Sequence, residues 1–106
     1  MAGKAGKTLG LLLFNGPDSQ DVHTAAGLAD AALRRGMGVE IFMMRNGVMN
    51  AAAPGLEGLA DRGAKVTVCA HNANEIKAPR SEKFHYGGQY DNANILNDAE
   101  RYVAFL

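Results

Sequence analysis

Apolar residues fall along this chain in short unbroken runs, separated by stretches in which they recur at every third or fourth position. The clearest is Thr8 to Phe14 (Thr-Leu-Gly-Leu-Leu-Leu-Phe); Val39 to Met44, broken at Glu40, and the β-branched run Lys65 to Cys69 are the next two predicted strands. A run without polar alternation is the mark of a strand covered on both faces by helices. Between the first two, Val22, Ala25, Ala26, Ala29, Ala32 and Leu33 recur at helical spacing. They predict a helix over Gln20 to Arg35 whose narrow stripe of small residues packs closely on a sheet. Ser19 or Asp18 can cap its start, Arg34 and Arg35 suit its negative end, and Gly36 supplies a left-handed stop.

The punctuation between these elements is equally regular. Asn15-Gly16-Pro17-Asp18 ends the first strand as a turn, since proline cannot continue a ladder. Arg45-Asn46-Gly47 follows the second strand as a loop, and Val48 to Ala53 reads as helical or irregular. Pro54 to Arg62 predicts a short helix with Leu56, Leu59 and Ala60 inward and Gly63 as its cap. The joints Arg35-Gly36-Met37-Gly38 and Arg62-Gly63-Ala64-Lys65 look alike, as two successive strand-helix units wound the same way would require.

Beyond Cys69 the pattern weakens. His71 to Lys83 is polar and fits a short helix or a mobile loop, Phe84 to Tyr86 a brief strand, Tyr90 to Asn97 a last helix, and Arg101 to Leu106 a terminal strand. Alternating strands and helices joined by right-handed crossovers give an α/β fold. The expectation is a three-layer αβα domain over residues 1–106, with a mainly parallel sheet of about five strands in the flavodoxin-like or Rossmann-like region of fold space. Met1 to Lys7, small and basic, reads as a flexible tail.

Composition narrows the function classes. The 106 residues carry eleven basic and eleven acidic side chains, so the net charge is zero. That balance gives no electrostatic footprint for nucleic acid or an anionic membrane, and a neutral surface tolerates self-association better than a strongly charged one. A single cysteine makes no internal disulfide and expects a reducing compartment. The opening lysines and apolar residues imitate a signal peptide, but Leu9 to Phe14 is too short for its apolar region and no cleavage site follows, so a cytoplasmic location is expected. No stretch has the length needed to cross a bilayer.

Several familiar sites are absent from the pattern. Gly6-Lys7-Thr8 looks like the end of a phosphate-binding loop, yet Met1 stands where that loop needs a glycine, and the lysine precedes the strand. No G-x-G-x-x-G follows the first strand, which argues against a dinucleotide. Cys69 with His23, His71 and His85 shows no recognised zinc spacing. A Cys-His-acid hydrolase finds no motif that places Asp18 or Asp91 as the acid. Neither a cofactor nor a metal is expected.

What remains is the carboxyl edge of the sheet, where open parallel sheets bind their ligands. Three polar loops and the only thiol fall there: Asn15-Gly16-Pro17-Asp18, Arg45-Asn46-Gly47 and Cys69-Ala70-His71-Asn72. The opposite edge carries mainly turn chemistry, Gly36-Met37-Gly38 and Gly63-Ala64. Helix N-termini and the cations Arg45, Lys77 or Arg80 would favour the reactive thiolate at Cys69. His71, two residues on, shares a face with Cys69 if the strand continues, and could help deprotonate the thiol or orient a substrate. Asn15, Gly16, Pro17, Asn46 and Gly47 are the candidate ligand-binding residues, the Asn15-Gly16 amides steadying an anion. Against this stands the plain alternative that Cys69 is a small hydrophobe ending a buried strand.

The order of these segments resembles the DsrE/DsrF-like family, which includes the sulfur-relay subunits called Tus and the YchN-like proteins. The resemblance is carried by Leu11-Leu12-Leu13-Phe14-Asn15-Gly16-Pro17 with its alanine-rich helix, by Gly38-Val39-Glu40-Ile41-Phe42 leading to Asn46-Gly47-Val48, by Gly63 to Cys69, and by Ala99 to Phe105. It implies a small α/β subunit of a homo-oligomer, a trimer or hexamer. In its active members a cysteine at the position of Cys69 accepts sulfane sulfur as a persulfide and passes it between donor and acceptor proteins. Many sulfur-relay members place an Arg-Gly pair soon after this cysteine; here the chain runs His71-Asn72-Ala73-Asn74-Glu75-Ile76-Lys77. The resemblance also allows a non-catalytic small-anion-binding or assembly subunit in which the cysteine only lines the pocket.

Overall fold

A computed structural model describes residues 7–106; the tail expected over Met1 to Lys7 lies, apart from Lys7, outside the described residues. The elements run β1 (Thr8–Leu13), α1 (Asp21–Arg34), β2 (Gly38–Met43), a 3-10 helix (Arg45–Ala52), α2 (Pro54–Asp61), β3 (Lys65–Cys69), α3 (Ala70–Glu75), β4 (His85–Gly87), α4 (Gln89–Asp98) and β5 (Arg101–Phe105). All five strands form one sheet in the order β4-β3-β2-β1-β5, and every neighbouring pair is parallel. Apolar runs become strands here because both faces are covered. Leu11, Leu13, Ile41, Phe42, Met43, Val66 and Val68 are almost completely buried.

Connectivity decides which helix lies on which face. The steps β1 to β2, β2 to β3 and β3 to β4 all move one way across the sheet, so right-handed crossovers put α1, α2 and α3 on one side. From β4 the chain returns past the whole sheet to β5 at the other edge, which carries α4 over the opposite face. There α4 lies directly on the strands: a Cβ at Gly10 in β1 would meet Ile95 and Ala99 as well as Tyr102 of β5. The Tyr102 hydroxyl donates to Asn92 Oδ1 at 2.7 Å, tying β5 to that helix.

Helix α1 buries Val22, Ala25, Ala29 and Ala32, the stripe its sequence marks. Gln20 stands at the N-cap without a side-chain bond, so neither Ser19 nor Asp18 caps the helix as expected; Ser19, one residue earlier, accepts the Asp21 N–H through its Oγ at 2.9 Å, and Gly36 turns the chain with φ 78°. Two segments differ from expectation. The stretch after β2 is helical from Arg45 onward rather than a loop followed by an indefinite segment, because Gly47 tucks its N–H against the Phe14 carbonyl (3.1 Å) and the Met44 carbonyl (2.9 Å). After β3 the strand stops at Cys69 and α3 starts at once with Ala70. His71 is therefore a helical residue and does not continue the strand alternation.

Candidate functional site

The carboxyl ends of β1, β2 and β3 deliver three connections to one edge of the sheet, with the start of α4 beside them. Cys69 is the last residue of β3 and pairs in register with Gly87 of β4. The residue borders an opening at the end of β3, while the Asp91 carboxylate occupies the place of the Cβ that Gly87 lacks. That opening is a depression of about 470 Å³ whose walls include Cys69, His71, Arg45 and Glu75. Met44 and Gln89 form its rim, the Gln89 amide donating to the Met44 sulfur at 3.5 Å, and Gly87 and Gly88 form the side nearest α4. Cys69 itself keeps 8% of its surface exposed. It stands at the border of the core, reachable from the depression but packed on its other sides.

Arg45 enters the site by an unusual backbone. Its φ of 54° lies in the left-handed region, which costs a non-glycine residue about 1–2 kcal/mol. The conformation is held by Asn72, the third residue of α3, whose Oδ1 accepts the Arg45 N–H at 2.7 Å. The guanidinium lies 5.9 Å from the centre of the Phe14 ring, over its face. Strain of this kind persists where surrounding structure enforces it, and it marks candidate functional positions. Arg45 and Glu75 also line an adjoining depression of about 440 Å³, together with Phe14, Asn46, Asn72 and Ile76.

The remaining loop residues gather elsewhere. Asn15, Gly16, Pro17 and Asn46 line a third depression of about 520 Å³, closed by Ser19 and Met49, of which Cys69 is not a wall. The Asn15 amide is already committed, donating to Asp21 Oδ2 at 3.0 Å and to the Leu106 carbonyl at 3.1 Å. Its own carbonyl takes the Asn50 amide at 2.9 Å, and Asn50 is fully buried. Gly47 lines none of these depressions. It lies beneath them, so close to the Leu13 carbonyl that a Cβ there would overlap it. The residues expected to form one site thus divide into a thiol side (Cys69, His71) and a turn side (Asn15, Gly16, Pro17, Asn46), with Arg45 and Asn72 between them.

Other candidates lie apart from the thiol. Arg80 stacks on Tyr86, 4.0 Å from the ring centre, beside Ser81 and Phe84. Lys77 has a φ of 54° and lines none of the three depressions. His85 faces Asp91, Nε2 to Oδ1 3.7 Å. Among the described residues no three His, Cys, Asp or Glu side chains converge as a metal site would need. No described helix is long and apolar enough to cross a membrane. Glu75 and Gln89 belong to the site although no short-range pattern announces them; they come from the end of α3 and the start of α4.

No family model matches the chain, and no curated protein matches it. Solved structures do. The crystal structure of the YchN protein from E. coli superposes with a TM-score of 0.80, covering 93% of this chain and 99% of that one at 13% identity. The chain has the YchN fold. A conserved protein of unknown function from Bacteroides thetaiotaomicron gives a TM-score of 0.72 at 12% identity, covering 96% and 97% of the two chains. Over nearly their full lengths the YchN protein and this chain share the parallel sheet with helices on both sides, the architecture that the DsrE-like resemblance implies. With so few identical residues the likeness is one of backbone architecture.

Proposed function

We propose that the chain is a small sulfur-relay protein that carries sulfane sulfur on Cys69. The thiolate attacks the outer sulfur of a donor persulfide, giving Cys69-S-SH and the donor's thiolate; an acceptor thiolate then takes the sulfur by the same exchange. Having one cysteine, the chain has no second thiol to resolve the persulfide as an internal disulfide, which favours hand-over to a partner. The observation that carries this reading is the place of the only thiol, on the wall of an open depression at the carboxyl edge of a parallel sheet, with Arg45 and His71 as fellow lining residues. His71 is the candidate assisting base.

A homo-oligomer in the cytoplasm belongs to the same proposal. Supporting it, α4 and β5 leave Tyr90 (79% exposed), Leu96 and Val103 on the surface of a chain with zero net charge. One observation favours the rival reading: a thiol only 8% exposed is also what a pocket-lining hydrophobe presents. In that case the chain is an assembly or small-anion-binding subunit. A chase separates the two. Protein loaded with labelled sulfane sulfur should pass the label to an acceptor thiol and return to its original mass, whereas a lining cysteine would take up no label to pass.

A further inference from the structure

Arg45 and Glu75 stand on the walls of the Cys69 depression with opposite charges, and neither forms an ion pair among the described residues. Elsewhere Asp30 pairs with both Arg34 and Arg62, and Lys83 with Asp61. Arg45 is moreover fixed at its backbone by Asn72, a fellow wall residue, and its guanidinium lies over Phe14 of the adjoining depression, which Arg45 and Glu75 also line. Glu75 ends α3, the helix that begins immediately after the thiol. A depression of about 470 Å³ falls inside the range of about 300–1,000 Å³ for small-molecule sites.

A cation and an anion held apart beside a nucleophile complement a ligand that carries both charges on a short frame. We infer that the Cys69 depression receives a zwitterionic amino-acid persulfide, Arg45 taking its carboxylate and Glu75 its ammonium. The inference rests on the carrier reading and names its donor class. Arg is suited to the first role because its planar fork matches a carboxylate. The transfer balances without an external oxidant: Cys69 Sγ forms a bond to the outer sulfur of R-S-SH, the donor's S–S bond breaks, and its electron pair leaves on R-S⁻. The sulfane sulfur keeps its oxidation level and its proton.

The test compares loading of Cys69 by cysteine persulfide with loading by cysteamine persulfide, which lacks the carboxylate, and by 3-mercaptopropionate persulfide, which lacks the ammonium. Each rate is divided by that protein's rate of alkylation with neutral iodoacetamide, which removes differences in intrinsic thiol reactivity. The wild type should load from cysteine persulfide about three- to tenfold faster than from either analogue, the modest factor expected of exposed charge contacts. Arg45→Gln should erase the preference over cysteamine persulfide alone, Arg45→Lys should restore part of it, and Glu75→Gln should erase only the preference over 3-mercaptopropionate persulfide. Both sites are exposed, so the variants should keep the wild-type circular dichroism. Equal loading from all three donors by the wild type would overturn the inference and leave the carrier standing. No loading from any of them, nor from inorganic polysulfide, would overturn the carrier and the inference together.

Discussion

The side-chain oxygen of Asn72 accepts the backbone N–H of Arg45 at 2.7 Å, joining the turn that follows β2 to the helix that follows Cys69. Two connections from neighbouring strands are thereby fixed to each other beside the depression that Cys69 lines. Asn72→Ala should lower stability by about 0.5–1 kcal/mol, the usual worth of one partly exposed hydrogen bond. Asn72→Asp keeps the acceptor and should lose less. Arg45→Gly should behave oppositely: relief of the left-handed strain, about 1–2 kcal/mol, outweighs the added freedom of glycine in the unfolded chain. Denaturant midpoints check all three. An Arg45→Gly protein clearly weaker than wild type would show that the arginine is held by contacts rather than against strain.

Gly47 predicts a sharper effect. A Cβ there would overlap the Leu13 carbonyl, and backbone cannot step aside as a side chain can. Gly47→Ala should cost about 2–4 kcal/mol. Gly27, inside α1 with nothing near its missing Cβ, is the control: Gly27→Ala should stabilise by about 0.5–1 kcal/mol. Thermal unfolding of the pair would contradict the packing account if both changes had the same sign.

Much of this architecture is legible in the residues. Leu11 to Leu13 announce a buried strand because no polar residue interrupts them, Val66-Thr67-Val68 because the run is β-branched, and the alanine spacing of α1 marks its inward face. The segment from Arg45 to Ala52 is less so, since Asn46-Gly47 is ordinary loop chemistry and becomes helical only through the tertiary approach to Leu13 and Phe14. The site divides in the same way. Cys69, His71 and Arg45 sit at strand ends that sequence can locate, while Glu75 and Gln89 reach the thiol only through the packing of α3 and α4. Asn15 looks free as a sequence and is in fact bound to Asp21 and the Leu106 carbonyl. Such long-range commitments leave no local pattern.

Tyr102 supplies a pH prediction. Burial pushes its phenol above the usual value of 10. The folded state therefore holds the phenolic proton more firmly than the unfolded chain does. Its contribution is complete below pH 10 and is lost as pH rises through the higher folded value. Tyr102→Phe should remove the last-titrating tyrosine from the absorbance titration near 295 nm and lower neutral-pH stability by about 0.5–1 kcal/mol through the lost bond to α4. A titration curve that keeps its last step in this variant would assign the raised phenol to another tyrosine.

Asp30 joins α1 to α2. It pairs with Arg62 at 2.7 Å and with Arg34 at 2.9 Å, and the Arg62 hydrogen bond above all holds its carboxyl below the usual 3.8. A depressed carboxylate adds stability above its unfolded value and loses it as pH falls through the folded one. Asp30→Asn should therefore be slightly less stable than wild type at neutral pH, the loss being small because the group is exposed and screened, and should converge with it below pH 4, which flattens the acid limb. The same acid limb in both proteins would show that these ion pairs contribute nothing to folding.

The central claim is that Cys69 accepts sulfane sulfur, and intact mass measures it directly. The folded protein is incubated with a persulfide donor and weighed before and after reductant, with Cys69→Ser in parallel. The account predicts a gain of one sulfur atom on the wild type, none on the variant, and return to the starting mass on reduction. A wild-type protein that stays at its original mass, with a thiol that reacts only after unfolding, would contradict it and leave Cys69 as a lining residue of a binding or assembly subunit.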